Sequence, residues 1–150
     1  MSSNEHDRLQ VVVFTVGKEE YAVPVHRVES IIASTDPTQV PGAGIHIRGV
    51  YNLRGRVISI IDLRSRLGIE ARPAESHGRV LVVTAGGHTV GLEVDEVSEV
   101  FSVDPAQLQT PPQQLADTSV VSGILKLEGR LVIIVDIDAL VGTAHLASVV

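Results

Sequence analysis

The stretch GVYNLRGRVISIIDLR occupies residues 49–64, and GILKLEGRLVIIVDID follows it 74 residues later, at 123–138. The match extends without a gap over 48–68 against 122–142. Seven of these 21 positions are identical, namely Gly49, Leu53, Gly55, Arg56, Ile60, Asp62, Gly68 and their partners, and six more exchange one aliphatic residue for another. Upstream, VVVFTVGKEEYAVPVHRVESII (11–32) aligns with VLVVTAGGHTVGLEVDEVSEVF (80–101) at an offset of 69, with six identities. Two collinear matches in one chain mark an internal repeat. The growth in offset puts five extra residues in the second copy, in or near DPAQLQTPPQQLADTSV (104–120).

Each copy has the same local pattern. A β-branched run (11–16; 80–85) meets a glycine turn signal at Gly17 or Gly86-Gly87, and a second short run follows (21–25; 90–94). Such a pattern predicts a β-hairpin. The next segment carries valine or isoleucine at 28, 31 and 32, or at 97 and 100. That spacing fits a turn of helix or a bent strand equally. Two further strands, 49–53 with 56–61 and 123–127 with 130–135, are joined tightly through Arg54-Gly55 and Glu128-Gly129. Asp62 and Asp136 then stand as N-caps before the short amphipathic stretches LRSRLG and IDALVG, each stopped by glycine.

Four or five short strands per copy with closely spaced turns predict an all-β fold of two small barrels. About 70 residues form a marginal core alone, so the two lobes are expected to share one apolar interface. The expected domain spans 9–142, with one lobe at about 9–70 and the other at about 79–142. Residues 1–8 and 143–150 are expected to be peripheral.

Composition narrows the function. The chain has 150 residues, no cysteine and a net charge of −6, which excludes disulfide and thiolate chemistry and disfavours a phosphate-backbone binder. The polar N-terminus lacks the basic and apolar regions of a signal peptide, and no apolar run is long enough to span a membrane. A soluble cytoplasmic protein is predicted. The six histidines are scattered without metal-ligand spacing, and no phosphate-binding glycine loop or nucleophile elbow occurs. No catalytic residue, metal or cofactor is therefore assigned. Ser59 lies in the apolar strand VISIID and reads as a core hydroxyl, while EVDEVSE (93–99) reads as an element with a solvated acidic side. The aromatics Phe14, Tyr21, Tyr51 and Phe101 fall in or beside strands and read as structural.

Shared letters of the repeat build the framework, so its unshared polar letters are candidates for work specific to one lobe. Asn52 and Arg54, against Lys126 and Glu128, place an amide and a forked cation at a tight turn. Without other context Arg54 also reads as a solvated hairpin-tip charge.

These residues resemble the CheW-like adaptor domains of bacterial and archaeal chemotaxis. The likeness is carried by FTVGKEEYAVPVHRVESII (14–32), VPGAGIHIRGVYNLRGRVISIIDLRSRLG (40–68), VGLEVDEVSEV (90–100), Pro111-Pro112 and SGILKLEGRLVIIVDIDAL (122–140). It implies two SH3-like five-stranded barrels on a shared core, with short helices after the barrel strands. It also implies a non-enzymatic role, coupling methyl-accepting chemoreceptor tips to the regulatory domain of the histidine kinase CheA in membrane-associated arrays. Val28, Gly49 and Arg54 match positions associated with receptor binding. Ile31, Ile32 and Asn52, and Val94 and Val97 on the facing lobe, are added as neighbours. The family often has an acidic residue two after Val28, where this chain has Ser30. No motif assigns kinase contacts. The alternatives are an adaptor of a parallel pathway controlling pili or gene expression, and a small-molecule-binding or enzymatic barrel. The chain begins with Met and ends soon after the second copy, which predicts a stand-alone protein.

Overall fold

A computed structural model describes residues 8–70, 78–111 and 120–142. The expected peripheral termini lie almost wholly outside this range, as do most of the residues between the two expected lobes and much of 104–120. Each copy begins with the expected hairpin, β1 (Leu9–Val16) with β2 (Glu19–Pro24) and β6 (Arg79–Ala85) with β7 (His88–Val94). Each continues through a third strand, β3 (Val28–Ala33) or β8 (Glu96–Val103). A second hairpin follows, β4 (Ile47–Leu53) with β5 (Arg56–Asp62), or β10 (Val121–Leu127) with β11 (Arg130–Val135). The two-residue strand β9 (Leu108–Gln109) precedes β10. Helices α1 (Leu63–Arg66) and α2 (Ile137–Gly142) close the copies. Asp62 Oδ1 accepts from the Arg64 and Ser65 backbone N–H at 3.1 and 3.3 Å, and Asp136 Oδ1 from Ala139 N–H at 3.1 Å. Both caps follow from a carboxylate at the first free donors of a helix.

The third segment of each copy is a strand, and its ambiguous spacing has a cause. A bulge at Glu29 puts Val28 and Ile31 opposite Val83 and Leu81, on one face despite their separation of three. The ladder of β8 with β1 is bulged in the same way, so Val97 and Val100 oppose Phe14 and Val12. An inserted residue thus imitates a helical period.

The two sheets are not the two copies. One sheet runs β8-β1-β2-β11-β10-β9, and the other β3-β6-β7-β5-β4. The first hairpin of each copy therefore completes the sheet of the other. Strand β2 lies parallel to β11, and β7 parallel to β5, at the exchanged seams. Within each lobe the chain itself spans the gap between the edge strands. After β3 it crosses to β4 and forms the Thr38–Val50 bridge, and after β8 it crosses to β10 as β9.

Gly49 is required at the first crossing. A Cβ there would drive into the Thr38 carbonyl, with its carbon at 2.9 Å and Pro37 Cβ at 3.1 Å, and φ is +149°. Gly123 sits at the equivalent crossing, against Leu108 and Gln109.

The exchanged strands are buried on both faces, which is why they read as unbroken apolar runs. Val11 and Val13 face one lobe's interior with Leu125, Val132 and Ile134, while Val80 and Val82 face the other's with Ile58 and Ile60. Between the lobes lies the expected shared core. Val12, Phe14 and Val16 meet Leu81, Val83 and Leu92 there, with Ile61, Leu63, Ile137 and Leu140.

Two ion pairs tie the lobes. Arg64 of α1 binds Asp95, with Nε to Oδ1 at 2.9 Å and Nη2 to Oδ2 at 2.7 Å. Asp95 Oδ2 also accepts from Gly17 N–H at 2.8 Å. Arg27, in the 3-10 turn between β2 and β3, donates through Nη2 to Asp138 Oδ1 of α2 at 2.5 Å and through Nε to Thr84 O at 3.0 Å. The Asp138 carboxyl is held below its ordinary range, chiefly by this hydrogen bond, with desolvation opposing and the Arg27 charge adding. A depressed folded-state value contributes stability that is present above the ordinary carboxylate range and lost as pH falls through it. Asp138→Asn should therefore lower the thermal midpoint slightly at neutral pH, and paired melts should converge on acidification. A gap that persists in strong acid would contradict the assignment.

Candidate functional site

The turn Arg54-Gly55 has φ of 53° and 83°, the left-handed pair of a type I′ hairpin. Glu128-Gly129 repeats it at 48° and 85°. Among the described residues these are the only non-glycine positions with positive φ, so both copies hold a charged side chain in a conformation glycine normally takes. Asn52 Oδ1 accepts from Gly55 N–H at 3.0 Å. Its carbonyl oxygen therefore works on the turn, whereas the second copy forms the same turn with Lys126 at that position. Arg54 is exposed, and its side chain makes no hydrogen bond or ion pair among the described residues. Two residues on, Arg56 Nη2 binds Glu29 Oε2 at 2.5 Å, lashing β5 to β3 and holding the guanidinium firmly charged. The acidic partner near this tip is Glu29, directly after Val28, rather than position 30.

Val28 is half-buried at the edge of the shared core, and Ile31 beside it is 46% exposed. On the other lobe Val97 is likewise half-buried against that core, and Val100 is 57% exposed. The repeat relates Val28 to Val97 and Ile31 to Val100 at the offset of 69. Val57 and Leu131, also exposed, are mates at the offset of 74. Each lobe thus leaves equivalent apolar residues at the rim of the shared core, where the facing sheet stops covering them.

Ile32 turns the other way, toward its own lobe's interior beside Tyr51 and Leu53. It shares a recess of about 430 Å³ with Val50, Asn52 and Leu53, at the seam where the chain after β3 meets β4. Tyr51 closes that seam, its hydroxyl donating to Thr35 O at 2.7 Å and accepting from Thr35 N–H at 2.8 Å.

The eight candidate residues therefore separate by position. Asn52 and Arg54 lie at the tip, with Ile32 and Asn52 in the recess. Val28, Ile31 and Val97 lie along the rim. Gly49 and Val94 are buried, Val94 completely, so neither offers side-chain surface to a partner. Their part is to shape the backbone and fill the core beneath.

The acidic run 93–99 is not one solvated side. Glu93 is 5% exposed, accepts from Ser34 Oγ at 2.6 Å and ion-pairs with Arg48 at 3.3 Å. Asp95 is taken by Arg64 and Gly17, Glu99 lies 3.4 Å from Arg130, and only Glu96 is left simply exposed. Burying a carboxylate requires such partners. Strand alternation sets Glu93 with Thr89 and Gly91, opposite the core-facing Val90, Leu92 and Val94, so the sequence gives no sign that it is buried.

Among the described residues no group of three or more histidines, aspartates and glutamates is arranged to hold a metal. No helix there is long and apolar enough to cross a membrane. What the site offers is contact surface: an apolar rim, a recess and a guanidinium at a rigid tip.

The CheW-like domain family matches residues 10–145. Chemotaxis protein CheW of Bacillus subtilis is 37% identical over 132 residues, covering 87% of this chain and 85% of that protein. Protein PilI of Pseudomonas aeruginosa is 35% identical, covering 77% of this chain and 66% of that protein. The crystal structure of the scaffolding protein TtCheW from Thermoanaerobacter tengcongensis superposes with a TM-score of 0.82 at 32% identity, covering 89% of this chain and 92% of that one. With the repeat, the paired lobes and this match along most of its length, the chain belongs to the CheW-like family.

Proposed function

We propose that this protein is a non-enzymatic chemotaxis adaptor that couples the cytoplasmic tips of methyl-accepting chemoreceptors to the histidine kinase CheA. The carrying observation is the likeness over nearly the whole of both chains to proteins named chemotaxis protein CheW and to a scaffolding protein of the same fold. An enzymatic or small-molecule-binding barrel is not favoured by that likeness.

In this reading the rim residues Val28, Ile31 and Val97 receive the apolar stripe of a receptor helical hairpin, as grooves receive amphipathic helices elsewhere. Ile32 and Asn52 border the contact, Arg54 supplies hydrogen-bond donors at its edge, and Gly49 and Val94 support it from beneath. The protein works at the membrane through the receptor array, without inserting.

Co-sedimentation with receptor-bearing membranes and CheA tests the reading. The wild-type protein should pellet with the membranes and raise the CheA recovered with them. Arg54→Ala should weaken recovery by roughly tenfold, as loss of an interface arginine worth about 1–2 kcal/mol would. Its thermal midpoint should stay within about 2 °C, because Arg54 is exposed and has no partner among the described residues. A large fall in midpoint would make Arg54 a structural residue, and no recovery of wild type above a membrane-free control would remove the adaptor reading.

A further inference from the structure

The two ties between the lobes occupy equivalent places in the repeat but have opposite polarity. Arg64 and Asp138 are helix positions related by the offset of 74. Their partners Asp95 and Arg27 lie in the segments that follow β7 and β2, one residue apart when aligned at the offset of 69. Even the supporting bonds correspond. Asp95 N–H donates to Thr15 O at 3.0 Å, and Arg27 Nε donates to Thr84 O at 3.0 Å, and Thr15 and Thr84 are identical mates. The first copy therefore contributes arginine at both its helix and its crossover, and the second contributes aspartate at both.

The exchanged hairpins create a choice that such charges can decide. Their first strands present the same residues to the lobe interiors, Val11 and Val13 in one and Val80 and Val82 in the other. The apolar face of that strand fits either lobe. We propose that the paired charges are a sorting code, which assigns each hairpin to the sheet of the opposite copy. In the observed assembly both ties join copy to copy and pair unlike charges. A hairpin retained by its own copy would set Arg27 against Arg64, and Asp95 against Asp138. Like charges held at such distances penalise the wrong assignment, as complementary flanking charges do in paired coiled coils. The second strands also differ, since a Cβ on Gly91 would lie 2.6 Å from Ile60 Cδ1 whereas its mate is Ala22. That steric preference is constant in the test below.

Arg64→Asp/Asp138→Arg exchanges the helix charges, leaves both crossovers intact and preserves net charge. It makes both native ties repulsive and both within-copy ties attractive. Arg64→Ala/Asp138→Ala, also of unchanged net charge, removes the ties without favouring either assignment. Assignment is read by chemical cross-linking, since the chain contains no cysteine. Glu20 lies 3.4 Å from Arg130 in the native sheet, and Arg56, the repeat mate of Arg130, instead meets Thr89 at 3.4 Å. Cysteines are introduced as Glu20→Cys/Arg130→Cys to report the native assignment, or as Glu20→Cys/Arg56→Cys to report the within-copy one. A short thiol cross-linker is added during refolding from denaturant.

With wild-type charges the 20–130 product should dominate, and with the alanine pair its share should fall, because only the steric preference at Gly91 remains. With the exchanged charges, the 20–56 product should rise at least threefold over the alanine pair, and the excess should shrink in 1 M salt, where charges are screened within about 3 Å. A 20–56 yield equal to that of the alanine pair, whether or not the exchanged variant folds, overturns the proposal.

Discussion

Phe14→Ala should lower the unfolding free energy by about 3–5 kcal/mol, a large share of the roughly 5–15 kcal/mol available to a domain. Phe14 is fully buried, and its ring lies 6.1 Å from that of Tyr21 with planes 21° apart. It belongs to the core between the lobes, where β1 meets residues of β6 and β7. Truncation removes the transfer energy of a ring and leaves a cavity that two sheets, each pinned by its own ladder, can only partly close. The thermal midpoint should drop on the order of 10 °C, still as one transition, because neither lobe owns all of its strands. A loss below about 1 kcal/mol, or two separated transitions, would mean that the shared core does not hold the lobes together.

Gly49→Ala should cost roughly 2–4 kcal/mol, the sum of left-handed backbone strain and overpacking at about 1–2 each. The added methyl meets the backbone of Thr38, which cannot swing aside as a flexible side chain would. Thr38 is held to Val50 by two backbone hydrogen bonds, at 3.0 and 2.8 Å, and these should be the first lost. Hydrogen exchange at the Val50 amide should rise well before the rest of β4 opens. Gly123→Ala is the internal control. Its Cβ would stand 3.2 Å from a leucine methyl and 3.3 Å from Gln109 O at an ordinary φ, so a cost under about 1 kcal/mol is expected. Equal costs at the two repeat mates would contradict the close-approach argument. If the recess beside this seam contacts the receptor, Gly49→Ala should also impair coupling, although Gly49 itself is buried.

The features legible in the sequence are those set by local chemistry. Glycine turns, aspartate caps and alternating runs place the hairpins and the short helices within a residue or two. The repeat announces two related lobes, and apolar runs buried on both faces announce a core between them. The exchange of hairpins was not legible, because Val11 and Val13 are the same residues as Val80 and Val82 and carry no address on that face. Nor could spacing separate helix from strand at Val28 and Ile31, since a bulge reproduces the helical interval.

The candidate site shows the same division. Arg54 stood out as an unshared letter in a shared motif, and it sits exposed at a rigid tip. Asn52 stood out for the same reason, yet its oxygen is committed to the turn it belongs to. Val94 follows from the resemblance by position, and depth within the sheet removes it from the surface. Glu93 was hidden in a run of carboxylates whose partners, Ser34 and Arg48, come from distant parts of the chain. Long-range pairing of this kind leaves no periodicity to read.

Receptor-stimulated autophosphorylation of CheA is the most direct test of the adaptor assignment. Receptor-bearing membranes, the cognate CheA and this protein are combined, and the initial rate of phosphate incorporation is measured with each component omitted in turn. The assignment predicts strong stimulation only when all three are present, reversal by attractant, and a marked loss with Arg54→Ala at matched folded concentration. A rate that is the same with and without this protein, under conditions where a known CheW stimulates, would contradict it.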